Sequence, residues 1–340
     1  MKLKMNKGFF IPKRIADKLV DVVNKATREH RLNLGLFLDK YVLWWYDDRE
    51  DKWDCNLEVQ VPLLRKIYKN PQNVKNLLTD PNVRGRRLRG KVIENERLSV
   101  PFEILPLDYH EFYKNRIEYL LDVLKQMGFH VEYIPNKQSG LSLNWRLIIN
   151  LGAASVYETS LLLHRNYSVP YIPGSAVKGV TRHWAILKFA KNSGIDPKDI
   201  DDALSQGKDV GIEVNGLSFR DLINIFGSQG EKGEVIFFDA LPIFDKNKDS
   251  IILDVMNIHY KPYYEASERD LKEKKEKAPG DWHRPVPIFF LAVEKGTKFR
   301  FALASKDGNL VKKAKNLLVE ALRKVGIGAK TSVGYGYFKV

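Results

Sequence analysis

From about residue 143 the apolar residues change their period several times, and the order of those changes restricts the fold more than composition does. Trp145, Leu147, Ile149 and Leu151 alternate with Arg146, Ile148 and Asn150, the period of a strand with a buried face. Val169-Pro170-Tyr171-Ile172-Pro173-Gly174 then forces a turn. Ser175 is placed to cap a following helix that carries Val177, Val180, Trp184 and Leu187 inward and ends near Asn192-Ser193-Gly194. Residues 196–216 are polar and glycine-containing and read as an insertion loop, and Phe219 to Phe226 as a short helix before Gly227. Val235–Phe238, Ile251–Ile258, Val286–Val293 and Phe299–Ala304 are β-rich runs, the last two joined by the turn Glu294-Lys295-Gly296-Thr297. A final helix keeps Leu310, Val311, Ala314, Leu317, Leu318, Ala321, Leu322 and Val325 on one stripe, with Lys312, Lys313, Lys315, Arg323 and Lys324 outward. Gly326 closes it and Tyr335 to Val340 forms a last strand. With the insertions and one extra hairpin set aside, the order is β-α-β-β-α-β. The fold class is therefore α+β, a ferredoxin-like (RRM-like) domain with inserted loops and one open sheet face.

The first third reads differently. Helical spacing recurs in Ile15, Leu19, Val22 and Val23, and in Phe112, Ile117, Leu120, Leu121 and Leu124 before a stop at Gly128. We divide the chain into a mostly helical N-terminal extension, 1–142, packed on the core, and the domain 143–340. Between the helices, Trp44-Trp45-Tyr46-Asp47-Asp48-Arg49-Glu50-Asp51 reads as a solvated turn beside an aromatic anchor, because consecutive acids cannot all face one metal ion. With 44% hydrophobic residues in 340 the chain can bury a sizeable core. Its one cysteine, Cys55, excludes an intrachain disulfide and the common cysteine-based zinc sites, which fits a reducing cytoplasm. Met1 to Pro12 lacks a signal-peptide core, and no stretch approaches the roughly 18 apolar residues of a membrane span, so neither secretion nor a membrane is expected.

Lys and Arg number 56 against 42 Asp and Glu, a net charge of +14 that favours polyanionic partners, nucleic acid first. A Lys-rich surface that keeps a heat-adapted protein soluble is the competing explanation, and the placement of the charge decides between them. Gly326-Ile327-Gly328-Ala329-Lys330-Thr331-Ser332-Val333-Gly334-Tyr335-Gly336-Tyr337-Phe338 holds four glycines in eleven residues. Its N–H groups beside Lys330, Thr331 and Ser332 suit a phosphate, whereas a tight turn alone needs one or two glycines. It is not a nucleotidase phosphate loop, since Ala329 precedes the lysine and a strand follows, and no dinucleotide fingerprint is present. Between Glu158 and Asp196 no acid occurs, while His164, Arg165, Lys178, Arg182, His183, Lys188 and Lys191 do. Lys178 and Arg182, four apart, share a helix face near its N-terminus, which also favours phosphate. Arg84, Arg86, Arg87, Arg89 and Lys91 form a glycine-interrupted basic stretch suited to backbone contacts. Last, His259, Tyr260, Lys261, Tyr263 and Tyr264, then Trp282, His283 and Arg284, interleave aromatics with cations, as base stacking and phosphate binding require. For each segment a plain structural role, a solvated basic face or an aromatic anchor, stands as the alternative.

Together these segments resemble the RAMP superfamily of CRISPR proteins. Tyr171-Ile172-Pro173-Gly174-Ser175-Ala176-Val177-Lys178-Gly179 is similar to the superfamily's helix start, and the C-terminal glycines to its G-rich signature. The Asp254–Tyr264 string, with Trp282-His283-Arg284-Pro285, is similar to the family of the sixth subunit of the Cmr, or type III-B, effector complex. The resemblance covers roughly residues 143–340. It implies a ferredoxin-like RNA-binding fold whose glycine loop and first helix face the crRNA near its 3′ end, capping a backbone filament. The implied partners are crRNA, target RNA, neighbouring RAMP subunits of the Cmr complex and its small helical subunit. It implies no catalytic residue, metal or cofactor. The rival is a metal-independent CRISPR-repeat endoribonuclease, for which only His164 and His183 lie near the basic helix.

Overall fold

The computed structural model describes residues 107–155, 159–165, 167, 169–243, 250–273 and 275–339, with short strands at 45–47, 52–54 and 99–101. It is a mixed helix-and-strand structure around a curled antiparallel sheet. The helical run from Ile15 to Val23 and the basic stretch with Arg84, Arg86, Arg87 and Arg89 lie outside the described residues. β1 (Trp45–Asp47) and β2 (Lys52–Asp54) pair antiparallel. β3 (Ser99–Pro101) joins a second sheet described below. Helix α1 (Leu107–Gln126) follows the expected spacing and stops where Gly128 takes a positive φ.

β4 (His130–Ile134) and β5 (Leu141–Leu143) come next, interrupted by a loop that a Pro135–Gly140 bridge closes. Sheet pairing thus begins before residue 143, on a Val131, Tyr133 alternation just after the glycine stop. The run Trp145 to Leu151, expected as a strand, is not one: only Leu147 bridges, to Val293. Leu147, Ile148 and Ile149 are all buried, so these three residues have no solvent face. Its backbone serves two neighbours at once, Leu147 bonding Val293 while the carbonyls of Arg146 and Ile148 accept from Gly336 and Ala329.

α2 (Gly174–Ser193) ends at Gly194 in the left-handed conformation, as expected. Its cap differs. Pro173 precedes it with no side-chain cap, Ser175 is exposed, and the Asp239 carboxylate accepts the Gly174 N–H at 2.7 Å. The buried face is Val177, Thr181, Ala185, Ile186, Phe189 and Ala190, so Val180, Trp184 and Leu187 sit at its edge, only half-buried. The expected loop 196–216 contains α3 (Pro197–Gln206). Asp196 caps it by accepting from Lys198 N, Pro197 opens it, and Ile200, Ala203 and Leu204 fill the core at helical spacing. β6 (Glu213–Val214) and β7 (Leu217–Ser218) make a small hairpin before α4 (Phe219–Phe226), which carries a Ser218/Asp221 capping box.

β8 (Ile236–Phe237) and β9 (Leu241–Ile243) pair with β12 (Lys298–Ser305), opposite β4 and β5. Leu303 is registered with both Glu132 and Phe237, and Phe299 with both Leu141 and Pro242. β13 (Phe338–Lys339) completes the sheet on β5. α5 (Gly308–Lys324), capped by Asp307, packs on α2 and the sheet with its whole apolar stripe up to Leu322 buried. Phe189, Phe219, Phe299 and Phe301 are fully buried among these layers, each stabilising the fold by about 2 kcal/mol. Three pairs tie α5 to its surroundings: Lys315 to Glu132, Lys313 to Asp221 and Glu320 to Lys188. β10 (Ser250–Ile258) and β11 (Val286–Val293) form a long antiparallel arm flanked by β3. The base of the arm, Ile251, Ile252, Phe290, Ala292 and Val293, is buried; its far half, with Val255, Asn257 and Val286, is exposed.

Candidate nucleic-acid interface

The glycine segment folds back on itself between α5 and β13. Ile327 N–H donates to Gly336 O at 3.0 Å, Gly336 N–H to Arg146 O at 2.8 Å, and Ala329 N–H to Ile148 O at 2.8 Å. A Cβ on Gly336 would overlap the Ile327 carbonyl oxygen, and one on Gly328 the Ile148 carbonyl oxygen, so both are there for backbone packing. Gly326 faces the Tyr337 ring, while Gly334 opens to solvent. What the loop presents outward is Ser332, Val333 and, half-buried, Lys330 and Thr331. Lys330 takes the left-handed conformation, and its ammonium rests at 3.5 Å from Met256 Sδ and 5.8 Å from the centre of the Phe290 ring. Tyr335 is buried. Its hydroxyl donates to Asp254 Oδ2 at 2.6 Å, and burial with that carboxylate pushes its pKa up to about 12.

The same Asp254 oxygen accepts from Arg146 Nη1 at 2.6 Å, and Arg146 Nε lies 3.9 Å from Glu294. Loop, arm and the 145–149 segment are thereby joined by one polar cluster. Sequence reasoning missed Arg146 and Trp145, because a strand reading placed them merely on alternate faces. No local signal marked them, since their placement depends on contacts with residues far along the chain.

A second group gathers at the start of α2. His164 rings against Tyr167 at 4.6 Å and Tyr171 at 5.5 Å. Burial holds the His164 imidazole below its ordinary pKa, and burial with the Asp239 carboxylate raises that of Tyr171. The helix N-terminus already receives a carboxylate, that of Asp239. Lys178 is half-buried, burial and then Arg182 lower its pKa, and no carboxylate among the described residues pairs with it. Arg182 differs from Lys178 although it shares its face: it is paired with Asp201 and donates to Ser205 Oγ at 2.9 Å, tying α2 to α3. Arg165 and His183 are exposed.

The arm's far end carries the aromatic group. Tyr260 meets His259 at 6.3 Å and His283 at 6.4 Å, and Trp282 meets His283 at 5.7 Å. Trp282 is 65% and Tyr264 71% exposed, with His259 and Arg284 exposed beside them. Among the described residues no group of three or more His, Cys, Asp and Glu is placed to hold a metal ion, and no helix is long and apolar enough to cross a membrane.

A curled sheet with a glycine-rich return to its last strand is the architecture of a known class: the chain belongs to the RAMP superfamily, whose family model matches residues 146–339. Within that superfamily it belongs to the Cmr6 family. It is 36% identical over 357 residues, 94% of this chain and 98% of the relative, to the CRISPR system Cmr subunit Cmr6 of Pyrococcus furiosus. It is 25% identical over 185 residues, 54% of this chain and 50% of the relative, to the Cmr6 subunit of Saccharolobus solfataricus. The fold is also that of a chain in a cryo-EM structure of the type III-B Cmr-beta complex bound to cognate target RNA. There the TM-score is 0.55 at 20% identity, covering 95% of this chain and 96% of that one.

Proposed function

We propose that this chain is an RNA-binding, non-catalytic structural subunit of a type III-B CRISPR (Cmr) effector complex in the cytoplasm. It holds crRNA near its 3′ end, caps the backbone filament, and so supports target RNA silencing and antiviral defence. The observation that carries this reading is the 36% identity to a Cmr6 subunit along nearly the whole of both chains. The surface is consistent with it. Lys178 and Lys330 keep their ammonium groups outside any ion pair among the described residues, Ser332 and Arg165 are exposed, and the arm presents Tyr260, His259 and Arg284. We place phosphate contacts at Lys178, Lys330, Thr331, Ser332 and Ser175, with Arg84, Arg86, Arg87 and Arg89 adding backbone contacts. Tyr335, Arg182, Gly328 and Gly336 act from behind, as supports of that surface.

The strand order β13, β5, β12, β9, with α2 between β5 and β8 and α5 between β12 and β13, supports a ferredoxin-like reading of the sheet. The pairing of β4 with β12 supports an N-terminal extension packed on the RAMP unit. Neighbouring RAMP subunits and the small helical subunit are its protein partners in this reading. The test is incubation of labelled CRISPR-repeat and target RNA with the isolated chain, with and without magnesium. Salt-dependent binding without cleavage is expected; cleavage lost in His164→Ala or His183→Ala would establish the endoribonuclease instead.

A further inference from the structure

Trp145 has no place in the core. The residue is 38% exposed, with the Arg146 guanidinium 4.9 Å and the Lys295 ammonium 5.4 Å from the centre of its ring. Two other indoles are tied down through their N–H, Trp184 to Glu320 at 2.7 Å and Trp282 to the Glu276 carbonyl at 3.3 Å. No group among the described residues accepts the N–H of Trp145. The backbone on either side of it is fixed: Asn144 N–H donates to Tyr337 O and Gly336 N–H to Arg146 O, both at 2.8 Å. These bonds anchor the backbone that carries the ring to the glycine segment. Arg146 is fixed as well, since Asp254 holds its guanidinium. Lys295 is not. It sits on the exposed turn between β11 and β12, and no carboxylate among the described residues pairs with its ammonium.

We propose that Trp145, flanked by Arg146 and Lys295, is a stacking site for one nucleobase of single-stranded RNA; this deepens the RNA-binding reading above and rests on it. A pre-positioned indole offers a base a flat partner at little conformational cost, and such stacking tolerates any base because each has a π face. Arg146 backs the ring with a fixed cation, which strengthens stacking from its side. Lys295 is the movable part. A base settling on the indole displaces the Lys295 ammonium from the ring onto that nucleotide's phosphate, exchanging a cation–π contact for an ion pair. The indole N–H is left to donate to a sugar or phosphate oxygen.

The test uses the full-length chain and a fluorescently labelled oligouridine, with anisotropy read across a potassium chloride series. Trp145→Ala should weaken binding roughly ten- to a hundredfold, the range of one stacked base, with an unchanged salt slope because no cation is lost. Trp145→Phe should restore most of the affinity. Lys295→Ala should lower the slope by about one unit, and the double variant should lose less than the two single losses combined. Melting temperature serves as the control for folding, and both exposed positions should melt as the parent does. Parent-like RNA binding by Trp145→Ala, or equal losses in the Ala and Phe variants, overturns the proposal. Unchanged RNA affinity with lost association to the other complex subunits overturns it in favour of a protein interface. A parent chain that binds no oligouridine and no crRNA overturns the RNA-binding reading itself.

Discussion

Gly336→Ala separates what the glycine loop does for the fold from what it offers a ligand. Gly336 has a φ of +75°, a left-handed conformation that costs an L-residue about 1–2 kcal/mol. A Cβ there meets the Ile327 carbonyl oxygen, part of the backbone rather than a flexible side-chain end. Relief requires the two limbs of the loop to part, which breaks the Ile327–Gly336 and Gly336–Arg146 hydrogen bonds, each contributing about 1 kcal/mol. The expected loss is therefore about 3–4 kcal/mol. Gly334, at +94°, has nothing within 4 Å of its Cβ position, so Gly334→Ala carries only the conformational cost of about 1–2 kcal/mol. With an unfolding entropy of about 2.1 cal/mol/K per residue, a chain of 340 residues shifts by about 1.4 °C per kcal/mol. Differential scanning calorimetry should thus show a fall of about 4–6 °C for Gly336→Ala and about 1–3 °C for Gly334→Ala. Equal melting of Gly336→Ala and the parent would refute the reasoning that close backbone approach locks this loop.

The two basic positions of α2 should behave differently. Arg182→Ala, which frees Asp201 and Ser205, lowers the melting temperature and leaves the salt slope of RNA binding unchanged; Lys178→Ala lowers that slope by about one unit and leaves melting unchanged. Filter binding at several salt concentrations beside thermal melts checks both. Because burial depresses the His164 pKa, the unfolded chain takes up that proton more readily. Stability is complete above about pH 6.5 and is lost as pH falls through the folded value. Melts of His164→Gln should accordingly be flatter than the parent's over that acid range. Tyr335 has the opposite sense: its pKa is pushed up to about 12, so the stability it supports is lost as pH rises above about 10, and Tyr335→Phe should flatten the alkaline limb.

Elements with one dominant period were legible in the sequence. The stripe of α5 and the runs that become β10, β11 and β12 appear where their spacing places them, because each run is long and holds one period throughout. Segments with two partners were not. Leu147 to Ile149 alternate on paper, yet both sides are covered, one by β11 and one by the glycine loop, and no local pattern encodes a loop from 180 residues later. α3 was hidden by its polarity although Asp196-Pro197 announces a helix start. The site shows the same division. Lys178, Lys330 and the arm aromatics could be picked out by type. That Arg182 and Tyr335 are spent on Asp201 and Asp254 depended on acids distant in sequence. Trp145 was read as a strand residue because its exposure follows from those same long-range contacts.

The most direct measurement is recovery of the tagged chain from its native cell, with the bound RNA sequenced and the bound proteins identified. The account predicts crRNA enriched in 3′-end contacts after crosslinking, together with the other Cmr subunits. Recovery of the chain without RNA and without those subunits would contradict it.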